Sequence, residues 1–212
     1  QRIIEKYIID QSSVNKPNIL FIPTASAEDK SYTVNFYSCF NGLNCNPSHL
    51  NLFQRTPRIE GLINKADIIY VGGGNTKSML AVWKEWKLDK FLIKAYNKGT
   101  VLAGVSAGAI CWFDTGITDS WASNLNYIDC LGILPGSCCP HYDSEKDRRP
   151  SVHKFIDHEK IKSVYAIEDG AAIHFVDDAP YKNISFFKDS KVFFVDKQNS
   201  IIQEKPQKMV SI

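Results

Sequence analysis

No stretch of this 212-residue chain is apolar over the length a membrane-spanning helix requires, and the opening QRIIEKYIIDQSS lacks the pattern of a secretory leader. Membrane partners are therefore not expected. An excess of one charge is also missing. Against 25 lysines and arginines stand 23 aspartates and glutamates, a formal net charge of +2, and the lysines are scattered rather than striped, so nucleic acid is not an expected partner. No internal repeat, low-complexity tract or linker interrupts the chain. The P-loop pattern G-x-x-x-x-G-K-[ST] does not occur, and YVGGGNT (70–76) misses G-x-G-x-x-G because residue 77 is lysine, which argues against a nucleotide cofactor. The six cysteines are irregularly spaced, and CCPH (138–141) has no second pair at ligand spacing. The expectation is a cytoplasmic protein with mostly reduced thiols, no metal site and no cofactor.

What is present suits one globular domain over 1–212: 44% of residues are hydrophobic and 23% charged, and the length allows a sizeable core. PNILFIPTA (17–25), SHLNLF (48–53), ADIIYVGGG (66–74) and GTVLAGVSAG (99–108) read as buried strands ending in turn chemistry. Between them lie helical stretches at 27–43, around 57–64, and at 76–99 with a break near Leu88. Strand and helix alternate at βαβ spacing, so the expected fold class is α/β, a doubly wound, mostly parallel sheet flanked by helices. Past residue 160, SVYAIE, AAIHFV, NISFF and KVFFV are short strands at hairpin spacing, which predicts an antiparallel extension. The chain opens on an amphipathic helix, RIIEKYIID, with no strand before it. A doubly wound sheet usually starts with a strand, so a first strand is expected to be missing from this sequence.

One pentapeptide raises a chemical question. Gly104-Val105-Ser106-Ala107-Gly108 fits the G-x-S-x-G elbow, in which a serine at a sharp strand-to-helix turn needs small neighbours and has helix N-terminal amides beside it to stabilise an oxyanion. A glycine-rich turn whose serine only caps a helix reads the same way. The three glycines of YVGGGNT let backbone amides approach a ligand, and neighbouring strand ends of a parallel sheet converge on one crevice. A nucleophilic serine needs a base. Of His49, His141, His153, His158 and His174, only His141 follows a strand end and opens a polar loop, SCCPHYDSEKDRRP. His49 is expected to start a strand, His174 to lie within one, and His153 and His158 to sit on a charged surface helix. Asp119, a single acid in a mostly apolar segment between Ser106 and His141, is the preferred orienting carboxylate. Asp114, Asp129, Glu168 and Asp169 compete with it.

IIYVGGGNT (68–76), AGVSAGAICW (103–112), TDS (118–120) and CPHYD (139–143), with FIPTAS (21–26), run in one order over most of the chain. In this combination the sequence resembles the peptidase E family, serine peptidases related to cyanophycinase, whose fold is similar to that of class I glutamine amidotransferase domains. The resemblance implies Ser106 as nucleophile, His141 as base and Asp119 as the third member. It also implies Gly73, Gly74 and Ala107 as oxyanion-hole donors, and Asn75 in substrate binding. The histidine follows Cys139-Pro140, where the better-known aspartyl dipeptidases carry asparagine before the proline. The implied activity is hydrolysis of short peptides through an acyl-enzyme, in the manner of a dipeptidase with acidic preference. One of Arg148 and Arg149, next to His141, would read a substrate carboxylate by a bidentate contact. The other reading of DSEKDRRPSVHK (143–154), and the more common one for such a run, is a solvated charged loop. A homodimer is compatible with this expectation, though no residue argues for one.

Two other functions fit the same residues. An α/β-hydrolase esterase shares the elbow and the Ser…Asp…His order, but usually carries its histidine near the C-terminus. A non-catalytic binding protein of the same fold would keep the crevice and lose the chemistry. Amidotransferase activity is disfavoured because those sites use cysteine, and Cys111 reads as core.

Overall fold

Apolar runs that end in glycine or polar turns set the order of elements in the first half of the chain. The computed structural model describes every residue except Gln1, Thr56, Pro57, Ala122, Ser123 and Lys188. The backbone divides into two compact units, Gln1–Ala109 and Ile110–Ile212.

In the first unit α1 (Ile3–Ile9) precedes β1 (Asn18–Ile22), followed by α2 (Lys30–Phe40), β2 (Asn46–His49), α3 (Ile59–Lys65) and β3 (Ile68–Val71). Then come α4 (Thr76–Glu85), α5 (Leu88–Asn97) and β4 (Val101–Gly104). The four strands pair in the order β2-β1-β3-β4, all parallel. Alternation along β1 and β3 sends Ile19, Phe21, Ile68 and Tyr70 to one face. There they pack with Phe36 and Phe40 of α2 and with Ile8 and Ile9 of α1. Leu20, Ile22, Ile69 and Val71 point to the other face, and α3 to α5 bury Ile63, Met79, Trp83, Leu88 and Leu92 completely or nearly so. Each such side chain contributes about 1.5–3 kcal/mol relative to exposure. Helices thus cover both faces of a parallel sheet, as the βαβ spacing predicts.

The differences have local causes. The expected strand at 48–53 lies earlier, at 46–49, so His49 ends β2 rather than starting a strand. NPSH has little β propensity, but β2 is an edge strand, where Pro47 costs little. The expected break in the long helix falls at Lys87, whose φ of 57° stops α4 and allows α5 to begin.

A short helix, α6 (Ala107–Ile110), carries the chain into the second unit, which contains β5 (Phe113–Thr118), β6 (Asn126–Asp129), β7 (Leu134–Cys139), α7 (Arg148–Asp157) and β8 (Ser163–Ile167). It ends with β9 (Ala171–Val176), β10 (Ala179–Ser185), β11 (Val192–Gln198), β12 (Ile201–Pro206) and β13 (Met209–Ser211). A six-stranded sheet runs β12-β11-β8-β7-β5-β6, with β5, β7 and β8 parallel at its centre and antiparallel strands on either side. A three-stranded sheet, β13-β10-β9, completes the unit. Past residue 160 two hairpins form: β9–β10, from the expected AAIHFV and NISFF, and β11–β12, whose second strand was not expected. Their two-residue turns, Asp177-Asp178 and Asn199-Ser200, both take positive φ, which suits the strand twist. α7 lays Val152 and Ile156 on a core with Ile117, Tyr142, Val164, Ala166 and Val195.

Gly61 lies inside α3, and a methyl group there would meet only the Arg58 Cβ, at 3.8 Å. Gly61→Ala is expected to stabilise the protein by about 0.5–1 kcal/mol, because alanine gives up less backbone entropy in a helix. Urea denaturation of both variants checks this.

Candidate active site

In the first unit the site begins with strand register. β3 and β4 are parallel, with Val71 opposite Gly104, so Gly73 and Ser106 lie two residues beyond paired positions. Ser106 takes φ 53°, a left-handed conformation that is uncommon for residues with a side chain and costs about 1–3 kcal/mol. The flanking glycines are required by contact. A Cβ on Gly104 would lie 2.0 Å from the Gly108 carbonyl oxygen, and one on Gly108 would lie 2.1 Å from the Val71 carbonyl oxygen. The turn is pressed onto the ends of β3 and β4, and a Cβ on Gly73 would lie 3.2 Å from the Ser106 Cβ.

The glycine loop after β3 is held on its other side by the segment following β1. Gly74 has φ 137°, and a Cβ there would overlap the Ala25 carbonyl. The Asn75 amide donates to that carbonyl at 2.8 Å, and the Asn75 side chain accepts from the Ser78 amide, capping α4. Asn75, expected in substrate binding, therefore has a structural task. The Gly73 N–H donates to the Tyr32 hydroxyl at 3.1 Å. Burial pushes the Tyr32 phenol above its usual value, with the Gly73 hydrogen bond acting the other way.

In the second unit, β7 and β8 are parallel neighbours. His141 lies two residues past the end of β7 and Asp169 two residues past the end of β8, and His141 Nδ1 meets Asp169 Oδ1 at 2.7 Å. His141 also has positive φ, 55°. Its loop is fixed by the Tyr142 amide donating to the Ile167 carbonyl and the Glu145 amide donating to the His141 carbonyl. The Asp169 amide donates to Asp143 Oδ1 at 2.9 Å. Burial works against the Asp169 charge. Hydrogen bonds from Ser144 and His141 and the charges of His141 and Arg148 outweigh it and hold the carboxyl below its usual 3.8.

The structure does not put Asp119 beside His141. Asp119 is largely exposed, and its Oδ1 lies 3.7 Å from Arg148 Nη2. Glu168 accepts from the Lys191 amide, which leaves Asp169 as the carboxylate on the imidazole. Sequence order favoured Asp119. The signal for Asp169 is positional: EDG closes the strand paired in parallel with the one that delivers His141.

The arginines also differ from expectation. Arg148 is 2% exposed and shares the buried stripe of α7 with Val152 and Ile156. Its Nε donates to Glu145 at 2.7 Å and its Nη1 to the Ile117 carbonyl at 3.0 Å. It is a structural cation and not an exposed reader of substrate. Arg149 pairs with Glu204 and lies over the Tyr142 ring, 4.5 Å from its centroid. The Tyr142 hydroxyl donates to Glu204 at 2.5 Å, and His153 Nε2 lies 2.6 Å from the same carboxylate. This cluster anchors the residue next to His141.

The other histidines have structural surroundings. His49 meets the Tyr37 hydroxyl at 2.8 Å, His158 caps α7, and His174 packs edge-on to Tyr181 within β9. Cys111, Cys138 and Cys139 are buried, and burial pushes their thiols well up. Among the described residues no helix is long and apolar enough to cross a membrane.

Comparison with known proteins gives the class of protein: a peptidase, a hydrolase of peptide bonds. More particularly, the chain belongs to peptidase family S51, whose family model matches residues 1–181. It is 46% identical over 204 residues to the uncharacterized peptidase YgaJ of Bacillus subtilis strain 168, covering 96% of this chain and 88% of that one. It is 30% identical over 130 residues to peptidase E of Pasteurella multocida, covering 57% and 56% of the two chains. The crystal structure of a peptidase from an acI-B1 actinobacterium shares the fold, with a TM-score of 0.66 at 17% identity over 98% of this chain and 88% of that one.

Gly108→Ala is expected to lower thermal stability by several kilocalories per mole or prevent folding, since backbone and not a flexible side chain blocks the new methyl group. Differential scanning calorimetry against wild type checks this. The depressed Asp169 carboxyl contributes stability that is present above the unfolded value and lost as pH falls through its folded value. The stability difference between wild type and Asp169→Asn should shrink on acidification below about pH 5, as measured by urea unfolding at a series of acidic pH values.

Proposed function

We propose that the chain is a serine peptidase that hydrolyses short peptides, with Ser106 as nucleophile, His141 as general base and Asp169 as the orienting carboxylate. The observation that carries this is the His141–Asp169 pair. With Nδ1–H donated to Asp169 Oδ1 at 2.7 Å, the imidazole is fixed in the tautomer whose Nε2 accepts a proton. Ser106, at a left-handed corner between β4 and α6, has the backbone of a nucleophile elbow.

In this mechanism Ser106 Oγ attacks the scissile carbonyl while His141 takes its proton and then delivers it to the leaving amine. Asp169 stabilises the imidazolium that forms between the two steps. Water, deprotonated by His141, then hydrolyses the acyl-enzyme. The helix N-terminus beginning at Ala107 and the amide of Gly74 are the proposed backbone donors near the developing oxyanion. The peptidase E relatives support hydrolysis of peptide bonds, and a dipeptide-sized substrate is part of the proposal. Acidic preference draws no support from Arg148 or Arg149, because both side chains already have carboxylate partners.

A fluorophosphonate is expected to label wild type once per chain and to leave Ser106→Ala unlabelled. An unlabelled wild type would favour a non-catalytic binding protein. On a panel of dipeptides with N-terminal Asp, Glu, Ala and Lys, Asp169→Asn should lower kcat by about a hundredfold or more, because the wrong imidazole tautomer is then held. Asp119→Asn should change it by less than about threefold, since exposed ion pairs contribute little. The reverse ranking would return the third role to Asp119.

A further inference from the structure

The Gly73 amide, expected to receive an oxyanion directly, is already committed to a side chain. Tyr32 lies in the first turn of α2, where Asp29 caps the helix by accepting from the Tyr32 amide at 2.8 Å. Its ring packs edge-on against Phe21, with centroids 5.2 Å apart. A Cβ on Gly72 would lie 3.0 Å from both the Phe21 and Tyr32 rings, so the missing side chain makes room for the phenol to reach the glycine loop. The hydroxyl accepts from Gly73 N–H at 3.1 Å, and the Cβ position of that glycine is 3.8 Å from Ser106 Oγ.

A phenol that accepts one hydrogen bond still has its own proton to donate. Among the described residues no acceptor faces the Tyr32 O–H. An amide pressed against the oxygen polarises it and strengthens its donation to a third group. Burial keeps the phenol protonated well beyond neutral pH. A half-buried donor without an acceptor, fixed by the loop that touches the nucleophile, is suited to an oxygen brought in by substrate.

We propose that Tyr32 is a catalytic residue whose O–H donates to the oxygen of the scissile carbonyl, so that the Gly73 amide acts on the oxyanion through the phenol. This rests on the serine-nucleophile function proposed above. As the Ser106 Oγ–carbon bond forms, the carbonyl π pair moves onto oxygen. The Tyr32 proton stays on Tyr32 and its hydrogen bond shortens, and the pair returns when the leaving amine departs. No net proton transfer to or from Tyr32 is needed.

Tyr32→Phe removes the hydroxyl and keeps the ring on Phe21. The primary readout is the second-order rate of Ser106 phosphonylation by a fluorophosphonate, whose phosphoryl oxygen takes the place of the carbonyl oxygen. That rate is expected to fall 10- to 100-fold, within or just below the range seen when an oxyanion donor is removed elsewhere. On the best-cleaved dipeptide of the panel, kcat should fall by a similar factor with KM within twofold, and Tm should stay within a few degrees of wild type. A purely packing role would move Tm and leave the kcat-to-KM split alone. If the hydroxyl only covers the Gly73 amide, Tyr32→Phe uncovers it, and labelling as fast as wild type or faster overturns the proposal while leaving the serine function intact. A wild type that does not label at Ser106 overturns both.

Discussion

Close approach of Gly108 to the Val71 carbonyl, with no room for a side chain between them, sets the geometry of the corner that carries Ser106. Because neither Gly104 nor Gly108 carries a side chain, the turn after β4 settles directly onto the ends of β3 and β4. That approach forces Ser106 into a left-handed conformation and brings its side chain beside Gly73. A single methyl group at either glycine would separate the layers. The chemistry proposed for Ser106 depends on this packing.

The second unit uses a different device to present an imidazole. Two parallel strands, β7 and β8, end side by side, and the chain leaving each delivers one member of the His141–Asp169 pair. Beneath the loop, Arg148 ties Glu145 to the Ile117 carbonyl, and Glu204 gathers Tyr142, Arg149 and His153. Charges that read in sequence as a solvated, substrate-facing loop are spent on holding the histidine's neighbours. Of these charges only Arg148 is buried, and it stabilises the fold only while its partners are in place.

Much of the fold was legible in the sequence because its requirements are local: β-branched runs, strand-to-helix alternation, and turns such as Asp177-Asp178. Ser106 was legible for a related reason, since a backbone corner of this kind needs small neighbours at fixed spacing. Asp169 was not, because one acid looks like another until strand order shows which chain ends are adjacent. Arg148 carried a signal that went unused: with Val152 and Ile156 it makes a helical stripe at four-residue spacing, the mark of a buried face. Tyr32 carried none, since the role proposed for it comes from the empty Cβ position of Gly72, a contact between α2 and the loop after β3 that no periodicity encodes.

The positive φ angles at Ser106 and His141 have a thermodynamic consequence. At each, glycine would adopt the same backbone more cheaply, so folding alone would favour losing both side chains. The protein instead forgoes about 1–3 kcal/mol at each position, a sizeable fraction of a typical domain's net stability. The chemistry proposed for Ser106 and His141 gives a reason for side chains to be kept at two corners where glycine would fold more cheaply.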